Sequence, residues 1–179
     1  KIKPLDPILK ITYQKLIYFK GVEFFNNQDL DSASRYFNKS LSVNYDKTYN
    51  ALSQYWLGEI SYIKKDYATA INIWKNFQLN ECAISLSEYD LSNYNIGYAY
   101  FQEKDYTNAN LSFRKFVTAN NTANDKPTAK KLNDAYIRIG DIYFINKDYS
   151  SAAEHYGNAI DMKVMDVDYA LYQQALALG

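Results

Sequence analysis

Four side chains are the candidates for acid–base or nucleophilic chemistry, namely Glu59, Asp141, His155 and Cys82. Glu59 and Asp141 are the carboxylates that could act as a pair, as in glycoside hydrolases, where the two acids stand about 5–9.5 Å apart. His155 is the only histidine and Cys82 the only cysteine. One histidine and one cysteine cannot complete a zinc site, and the sequence has no glycine-rich phosphate loop. The sequence therefore predicts no metal and no cofactor, and the acid pair depends on the elements that position it.

A motif that occurs four times sets those positions. Each copy has a glycine, an aspartate eight residues later, an alanine twelve residues later and an aromatic residue sixteen residues later. The glycines are Gly21, Gly58, Gly97 and Gly140, and the aspartates are Asp29, Asp66, Asp105 and Asp148. The alanines are Ala33, Ala70, Ala109 and Ala152, and the aromatic residues are Phe37, Trp74, Phe113 and Tyr156. Self-similarity at this period is typical of stacked helical repeats.

Each position of the motif has a physical reason. A glycine that faces an alanine on the next helix would let the two helices approach closely. The aromatic residue four positions after the alanine lies on the same helix face. An aspartate in the turn can accept hydrogen bonds from the free N–H groups at the start of the second helix. Each copy is therefore predicted to be a helix A, a short turn and a helix B, and the first helix is expected at about 7–26.

These residues resemble the tetratricopeptide repeat family, notably at Trp56-Leu57-Gly58 and Ile96-Gly97-Tyr98. The resemblance covers about residues 14–179. It implies an all-α fold, a right-handed α-solenoid of antiparallel helix pairs forming a tetratricopeptide-like superhelix. We expect a single array over residues 1–179 that is part of a longer protein. Its units are expected at about 14–47, 51–83, 90–123 and 133–165, with a partial fifth helix at 167–179.

The resemblance also indicates where a partner would bind. In such arrays helix A lines the concave face, and its inward positions lie three residues before, one after and four after the glycine. Aromatic and acidic residues occupy most of these positions: Tyr18, Phe25, Tyr55, Glu59, Tyr62, Tyr94, Tyr98, Phe101, Asp141 and Phe144. Aromatic rings are enriched at binding hot spots, although tyrosines at these positions also serve packing in the family. The cluster of Tyr94, Tyr98 and Phe101 is the densest.

The same arrangement separates the candidate catalytic groups. Glu59 and Asp141 are two units apart, which at a helix spacing of about 8–10 Å places them roughly 20 Å or more from each other. That separation excludes the acid pair. His155 is expected on the solvated outer face of helix B, and Cys82 is expected to be a small, partly buried apolar residue. The sequence therefore predicts that the protein is not an enzyme.

The favoured function is a non-enzymatic protein–protein interaction scaffold that binds a partner segment in an aromatic concave groove. The alternatives are a carbohydrate- or glycan-binding module that uses the same groove, and a structural spacer in a larger assembly. Family members that bind the C-terminal carboxylate of chaperones use Lys, Arg and Asn at the first two inward positions. This chain has Tyr18 and Val22, Tyr55 and Glu59, and Tyr94 and Tyr98 there, which argues against such peptides as partners.

Charge and hydropathy narrow the partners further. The chain has 20 basic and 20 acidic residues among 179, so it lacks the excess of positive charge that nucleic-acid binding requires. No apolar stretch approaches the ~20 residues that span a bilayer, and direct membrane insertion by this segment is not expected. The long inter-repeat segments resemble those of divergent bacterial repeat proteins of the envelope. This favours a periplasmic or envelope-associated location over a cytoplasmic one.

Overall fold

The structure is a computed structural model and describes residues 6–121 and 125–179. Over these residues the chain forms α-helices and no strand. The helices are α1 Pro7–Asn26, α2 Leu30–Val43, α3 Lys47–Ile63, α4 Tyr67–Gln78, α5 Glu88–Gln102, α6 Tyr106–Asn120, α7 Lys126–Ile145, α8 Tyr149–Met162 and α9 Val167–Leu178. The all-α fold class is confirmed, and α1 runs over the predicted residues. The inter-repeat segment at 120–127 has the composition of a loop, and residues 122–124 of it lie outside the described residues.

Three-residue turns join α1 to α2, α3 to α4, α5 to α6 and α7 to α8, so each of these pairs is a helical hairpin. The predicted aspartate caps are confirmed in all four turns. Asp29, for example, accepts a hydrogen bond from the backbone N–H of Ser32 at 3.0 Å. Its own N–H donates to the carbonyl of Phe24 at 3.0 Å, which closes the end of α1. One aspartate therefore ends one helix and begins the next, which keeps the turn short.

The residue before each capping aspartate adopts a left-handed conformation, a feature that the sequence did not indicate because none of these residues is glycine. Gln28, Lys65, Lys104 and Lys147 have φ values of 62°, 63°, 61° and 61°. All four residues, three of which are lysines, have a Cβ, which disfavours the left-handed conformation. The two hydrogen bonds on either side, which end one helix and cap the next, offset that cost.

The contact expected between glycine and alanine is wrong, because each glycine faces the aromatic residue instead. A methyl group added at Gly21, Gly97 or Gly140 would lie 2.8, 2.8 or 2.7 Å from the ring of Phe37, Phe113 or Tyr156. Trp74 lies against Gly58 in the same way. The four alanines are fully buried within the helix pairs. The glycine is needed because a flat ring lies directly on the helix backbone.

The chain divides into two compact units, Lys1–Ser92 (unit 1) and Asn93–Gly179 (unit 2). In unit 1, α1 packs on α2, α2 on α3 and α3 on α4, and α1 also touches α3. Its core contains Tyr18, Ala33, Phe37 and Ile60. The segment between α4 and α5 includes a short 3₁₀ helix at Ala83–Ser85.

In unit 2, α7 packs against both α6 and α8, and α8 also packs against α9. Two core clusters form around α7. One contains Ala109, Phe113, Phe116 and Ile139, and the other contains Ile137, Ala152, Tyr156 and Ala170. The predicted fifth-unit helix is α9, and its Ala170 is fully buried against α8. The unit boundaries expected from the repeat stay a prediction, since the structure establishes helices and compact units rather than repeat limits.

Candidate interaction pocket

Unit 2 contains a pocket of about 370 Å³ between α5, α7, α8 and α9. Apolar side chains form much of its wall, and three of them are Phe101, Phe144 and Ile145. The other lining residues are Arg138, Asp141, Tyr156, Tyr169 and Gln173. The pocket therefore combines exposed aromatic and aliphatic surface with a small number of polar groups, which is the usual composition of a binding site.

Three charged residues one helical turn apart form a network at one side of this pocket, and two of them, Arg138 and Asp141, line it. Asp134, Arg138 and Asp141 lie on the same face of α7. The Nη1 of Arg138 donates to Oδ2 of Asp141 at 2.6 Å, and its Nε is 3.4 Å from Oδ1 of Asp134. Both aspartates are nearly buried, with exposed fractions of 9% and 8%. Because burying a charge without a partner is costly, the guanidinium between them is what allows two carboxylates in so small a volume.

Four tyrosine hydroxyls complete the hydrogen bonding of the two carboxylates. The hydroxyls of Tyr94 and Tyr98 both donate to Oδ2 of Asp134, the former at 2.9 Å. The hydroxyls of Tyr156 and Tyr169 both donate to Oδ1 of Asp141 at 2.9 Å. Hydrogen bonds to ionised groups are the stronger ones, so these contacts fix the rings as well as the carboxylates.

The pKa values in this network follow from burial and from the carboxylates. Burial, and then the nearby charge of Asp134, raises the pKa of Tyr94 and Tyr98. Burial and Asp141 raise the pKa of Tyr169 to about 12. These hydroxyls therefore stay protonated and act as donors at neutral pH. Burial also raises the pKa of Asp141, although Arg138 and the hydroxyls of Tyr156 and Tyr169 act against that change.

The structure brings together half of the ten predicted groove residues, all of them in unit 2. Phe101, Asp141 and Phe144 line the pocket. Tyr94 and Tyr98 are half-buried behind it, in contact with each other at 5.1 Å between ring centroids and with Asp134. These five residues are the part of the prediction on which a binding site can be based.

The five predicted residues of unit 1 do not form a comparable site. Tyr18 and Tyr55 are buried, with exposed fractions of 7% and 4%, and are part of the core. Phe25 packs on Trp56 at 4.7 Å and lines a separate depression near the end of α1. Tyr62 lies against Tyr67 and Trp74, and Glu59 is half-buried on α3.

The sequence analysis missed the charged residues Asp134 and Arg138, as well as the pocket residues Ile145, Tyr169 and Gln173. The inward positions assumed for α7 were Ile137, Asp141 and Phe144, but Ile137 is fully buried in the core. The α7 residues that line the pocket are Arg138, Asp141, Phe144 and Ile145, and Asp134 lies one turn before Arg138. Charged residues of opposite sign spaced four and three apart on one helix would have indicated this face.

The remaining candidates for chemistry do not form a site. Within residues 6–121 and 125–179, no group of three or more His, Cys, Asp or Glu side chains could hold a metal ion. The expectation of a solvated His155 is wrong, because its ring stacks on Tyr143 at 5.3 Å and 3°, and burial lowers its pKa. Cys82 is partly buried, as predicted. Among the helices described, none combines the length and the apolar character that crossing a membrane would require.

Comparisons with known proteins agree with the repeat pattern. A family model described as a tetratricopeptide repeat matches residues 92–122 and 134–163. A search of curated proteins finds no match. The similar solved structures include the crystal structure of the MamA protein, which is 22% identical over 92% of this chain and 80% of that chain, with a TM-score of 0.73.

Two further solved structures show the same fold at lower coverage or identity. A chain of the APC/C hetero-tetramer Cut9-Hcn1 is 20% identical over 93% of this chain, with a TM-score of 0.68, and this chain spans 30% of its length. A putative kinesin light chain with TPR-like repeats from Podosopora anserina is 12% identical over 91% of this chain and 84% of that chain, with a TM-score of 0.67. Residues 92–122 and 134–163 therefore match tetratricopeptide repeats, and the chain shares the all-helical fold of these solved structures.

Proposed function

We propose that unit 2 is the part of this scaffold that binds a partner protein, and that a segment of the partner places an apolar side chain in the pocket. The observation that supports this most directly is the pocket of about 370 Å³, which three apolar side chains and a polar wall of fixed geometry surround. Its size suits a single large side chain better than a folded surface. Protein interaction is also the common role of tetratricopeptide repeats, whose fold this chain has.

The polar wall supports binding by holding the site in one conformation. The two carboxylates of the network accept hydrogen bonds from four tyrosines and from Arg138. Tyr156 and Tyr169, which also line the pocket, cannot rotate without breaking a bond to Asp141. Because little side-chain freedom is lost when a partner binds, more of the contact energy remains as affinity.

The same network favours binding over catalysis. Both oxygens of Asp141 are already hydrogen-bonded acceptors, and the nearby tyrosine hydroxyls are donors with raised pKa values. None of these groups is arranged as a nucleophile beside a free base. We therefore propose a non-enzymatic scaffold, in agreement with the expectation from the sequence.

A library of random peptides displayed on phage, selected on the whole chain, tests this function. Phe144→Ala removes a pocket ring, and we expect it to weaken the selected peptides tenfold or more, as for a ring at an interface hot spot. Phe25→Ala is the matched control, because Phe25 occupies the same repeat position in unit 1, four residues after the glycine. We expect that variant to bind as the unchanged protein does, with the same far-ultraviolet circular dichroism for all three proteins.

Two outcomes would contradict the proposal. Equal weakening by Phe25→Ala and Phe144→Ala would show that the pocket is not the binding site, and failure to select any peptide would remove the function. A panel of oligosaccharides serves as the second arm for the glycan-binding alternative. Because Trp56 and Trp74 both lie in unit 1, tryptophan fluorescence would not report on the pocket, and the phenylalanine ring signals in NMR spectra are the better readout. We expect no change in them with any sugar.

A further inference from the structure

The charged network beside the pocket has more acidic than basic groups. Asp141 and Arg138 line the pocket, and Asp134 pairs with Arg138 just outside the lining, so the network holds two negative charges and one positive charge. Within the described part of the chain, Arg138 is the one basic residue that lines the pocket. The α5 residues of unit 2, 93–102, carry no charge, and α9 carries Asp168 and no Lys or Arg. The ionised network of Asp134, Arg138 and Asp141 therefore has a formal charge of about −1.

The positive charge of Arg138 is already used inside the protein. Its Nη1 and Nε point at Asp141 and Asp134, at 2.6 and 3.4 Å. An anionic ligand would have to compete with these two buried carboxylates and would add a third negative charge to the same volume. A cationic ligand would instead offset the excess negative charge of the network.

The aromatic lining favours the same kind of ligand. Phe101, Phe144 and Tyr169 contribute rings to the pocket. The face of an aromatic ring attracts a cation such as the ammonium of lysine or the guanidinium of arginine. The aliphatic stem of either side chain can also pack on Ile145, whose exposed fraction is 47%.

We infer that the partner segment presents a lysine or arginine beside the apolar side chain that enters the pocket. This inference rests on the proposed function, since it names the chemistry of the partner for the same site. The basic group lies at the mouth of the pocket, near the rings and the excess carboxylate. The apolar side chain fills the space between Phe101, Phe144 and Ile145.

Three capped synthetic peptides test the inference. Each has the apolar core of a peptide selected by display, and the neighbouring positions carry lysine, glutamine or glutamate. For the whole chain at low salt, we expect the lysine peptide to bind about three- to tenfold tighter than the glutamine peptide, and the glutamate peptide to bind weakest. The preference for lysine should shrink as sodium chloride is added.

Variants separate the charge effect from the pocket itself. Asp134→Asn removes the excess charge, and we expect it to lower the ratio of lysine-peptide to glutamine-peptide affinity to near one. Asp161→Asn, an exposed acid of α8 outside the pocket, is the control and should leave the preference unchanged. Because Asp134→Asn could loosen unit 2, the thermal unfolding of this variant is measured as well. The comparison of the three peptides on the unchanged protein does not depend on the variant.

The failures of the two proposals differ. Equal affinity for the three peptides, tighter binding of the glutamate peptide, or a lysine preference that resists salt would overturn the inference and leave the binding function in place. Absence of binding by all three peptides would overturn the binding function itself.

Discussion

Equivalent tyrosines have different surroundings in the two units. Tyr18 and Tyr94 each lie three residues before a repeat glycine. In unit 1 the hydroxyl of Tyr18 accepts a hydrogen bond from the indole N–H of Trp56 at 3.0 Å, within an aromatic cluster. In unit 2 the hydroxyl of Tyr94 donates to the carboxylate of Asp134 at 2.9 Å. A single repeat position therefore serves a neutral core in one unit and a charged network in the other.

The difference arises from the helix A of the following repeat, which is α3 in unit 1 and α7 in unit 2, rather than from the tyrosine itself. At the position two residues before the repeat glycine, α3 has Trp56 and α7 has Arg138. At six residues before, α3 has Leu52 and α7 has Asp134. This face of α3 in unit 1 therefore carries apolar side chains, whereas the same face of α7 in unit 2 carries charged side chains that need partners. The repeat frame specifies the helix pairs, and the variable residues within that frame decide which unit carries a polar site.

Replacement of Arg138 should have the largest effect on this contrast. Arg138→Met leaves Asp134 and Asp141 without their common partner, and we expect a loss of about 2–4 kcal/mol in the free energy of unfolding. Trp56→Phe, the change at the matched position of unit 1, removes one neutral hydrogen bond and should cost about 1 kcal/mol. Urea unfolding followed by circular dichroism measures both. A cost below that of Trp56→Phe would show that the network does not stabilise unit 2.

The second test exchanges phenylalanine and tyrosine at the aromatic position of the repeat, sixteen residues after the glycine. Tyr156→Phe removes a hydroxyl that donates to Asp141, and we expect it to cost about 1.5–3 kcal/mol, as for a hydrogen bond to a charged group. Phe37→Tyr should destabilise by about 1–3 kcal/mol for the opposite reason. It adds a hydroxyl at a fully buried ring, and the residue equivalent to Asp141 in that repeat is Val22. Thermal unfolding of both variants checks this, and a stabilised Phe37→Tyr protein would contradict the comparison.

Removal of the two equivalent tyrosine hydroxyls should produce smaller losses. We expect Tyr94→Phe to cost about 1.5–3 kcal/mol, because its acceptor is ionised, and Tyr18→Phe about 0.5–1.5 kcal/mol, because its partner is neutral. Tyr98 continues to donate to Asp134 in the first variant, which places that loss toward the lower value. Guanidinium unfolding of each variant gives the two numbers. The contrast between the units would be lost if Tyr18→Phe were the more damaging change.

The smallest expected effect is a pH dependence confined to unit 2, which contains the only histidine. Burial lowers the pKa of His155 below its ordinary value of 6.5, and the nearby Arg114 acts in the same direction. The unfolded chain therefore binds more protons in this range, and the contribution of His155 to stability is full above pH 6.5 and declines as the pH falls below it. His155→Phe should flatten the unfolding free energy between pH 7 and 5. An unchanged slope would show that the ring is not buried as neutral imidazole.

Much of the fold follows from the sequence, because the repeated residues act through local physics. Asp29, Asp66, Asp105 and Asp148 cap the second helices as expected from their place in the turn. Asp125 caps α7 through the same kind of hydrogen bond, and Pro127 lies in the first turn of that helix. The glycines were correctly identified as close-contact positions, but their neighbours were wrong, since spacing along one helix does not tell which side chain of the next helix lies opposite.

The site was less predictable for the same reason. Phe101, Asp141 and Phe144 were identified from their repeat positions. Arg138 and Asp134 were missed because the face of α7 assumed from the repeat is rotated by about one residue from the face that carries them. His155 was assigned to solvent because α8 was treated as an outer helix. The stacking of Tyr143 on its ring depends on the preceding helix and has no signature in the residues next to it.

By itself the sequence determined the helices, their turns, the resemblance to tetratricopeptide repeats and the aromatic, near-neutral character of the chain. These properties depend on residues close together along the chain, through capping, periodicity and the size of side chains. Tertiary structure decided which aromatic residues are core and which line a pocket. It buries Tyr18 and Tyr55, and it gathers four tyrosines around two aspartates and one arginine. Burial and charge pairing are properties of several helices together, and they are set only when those helices pack.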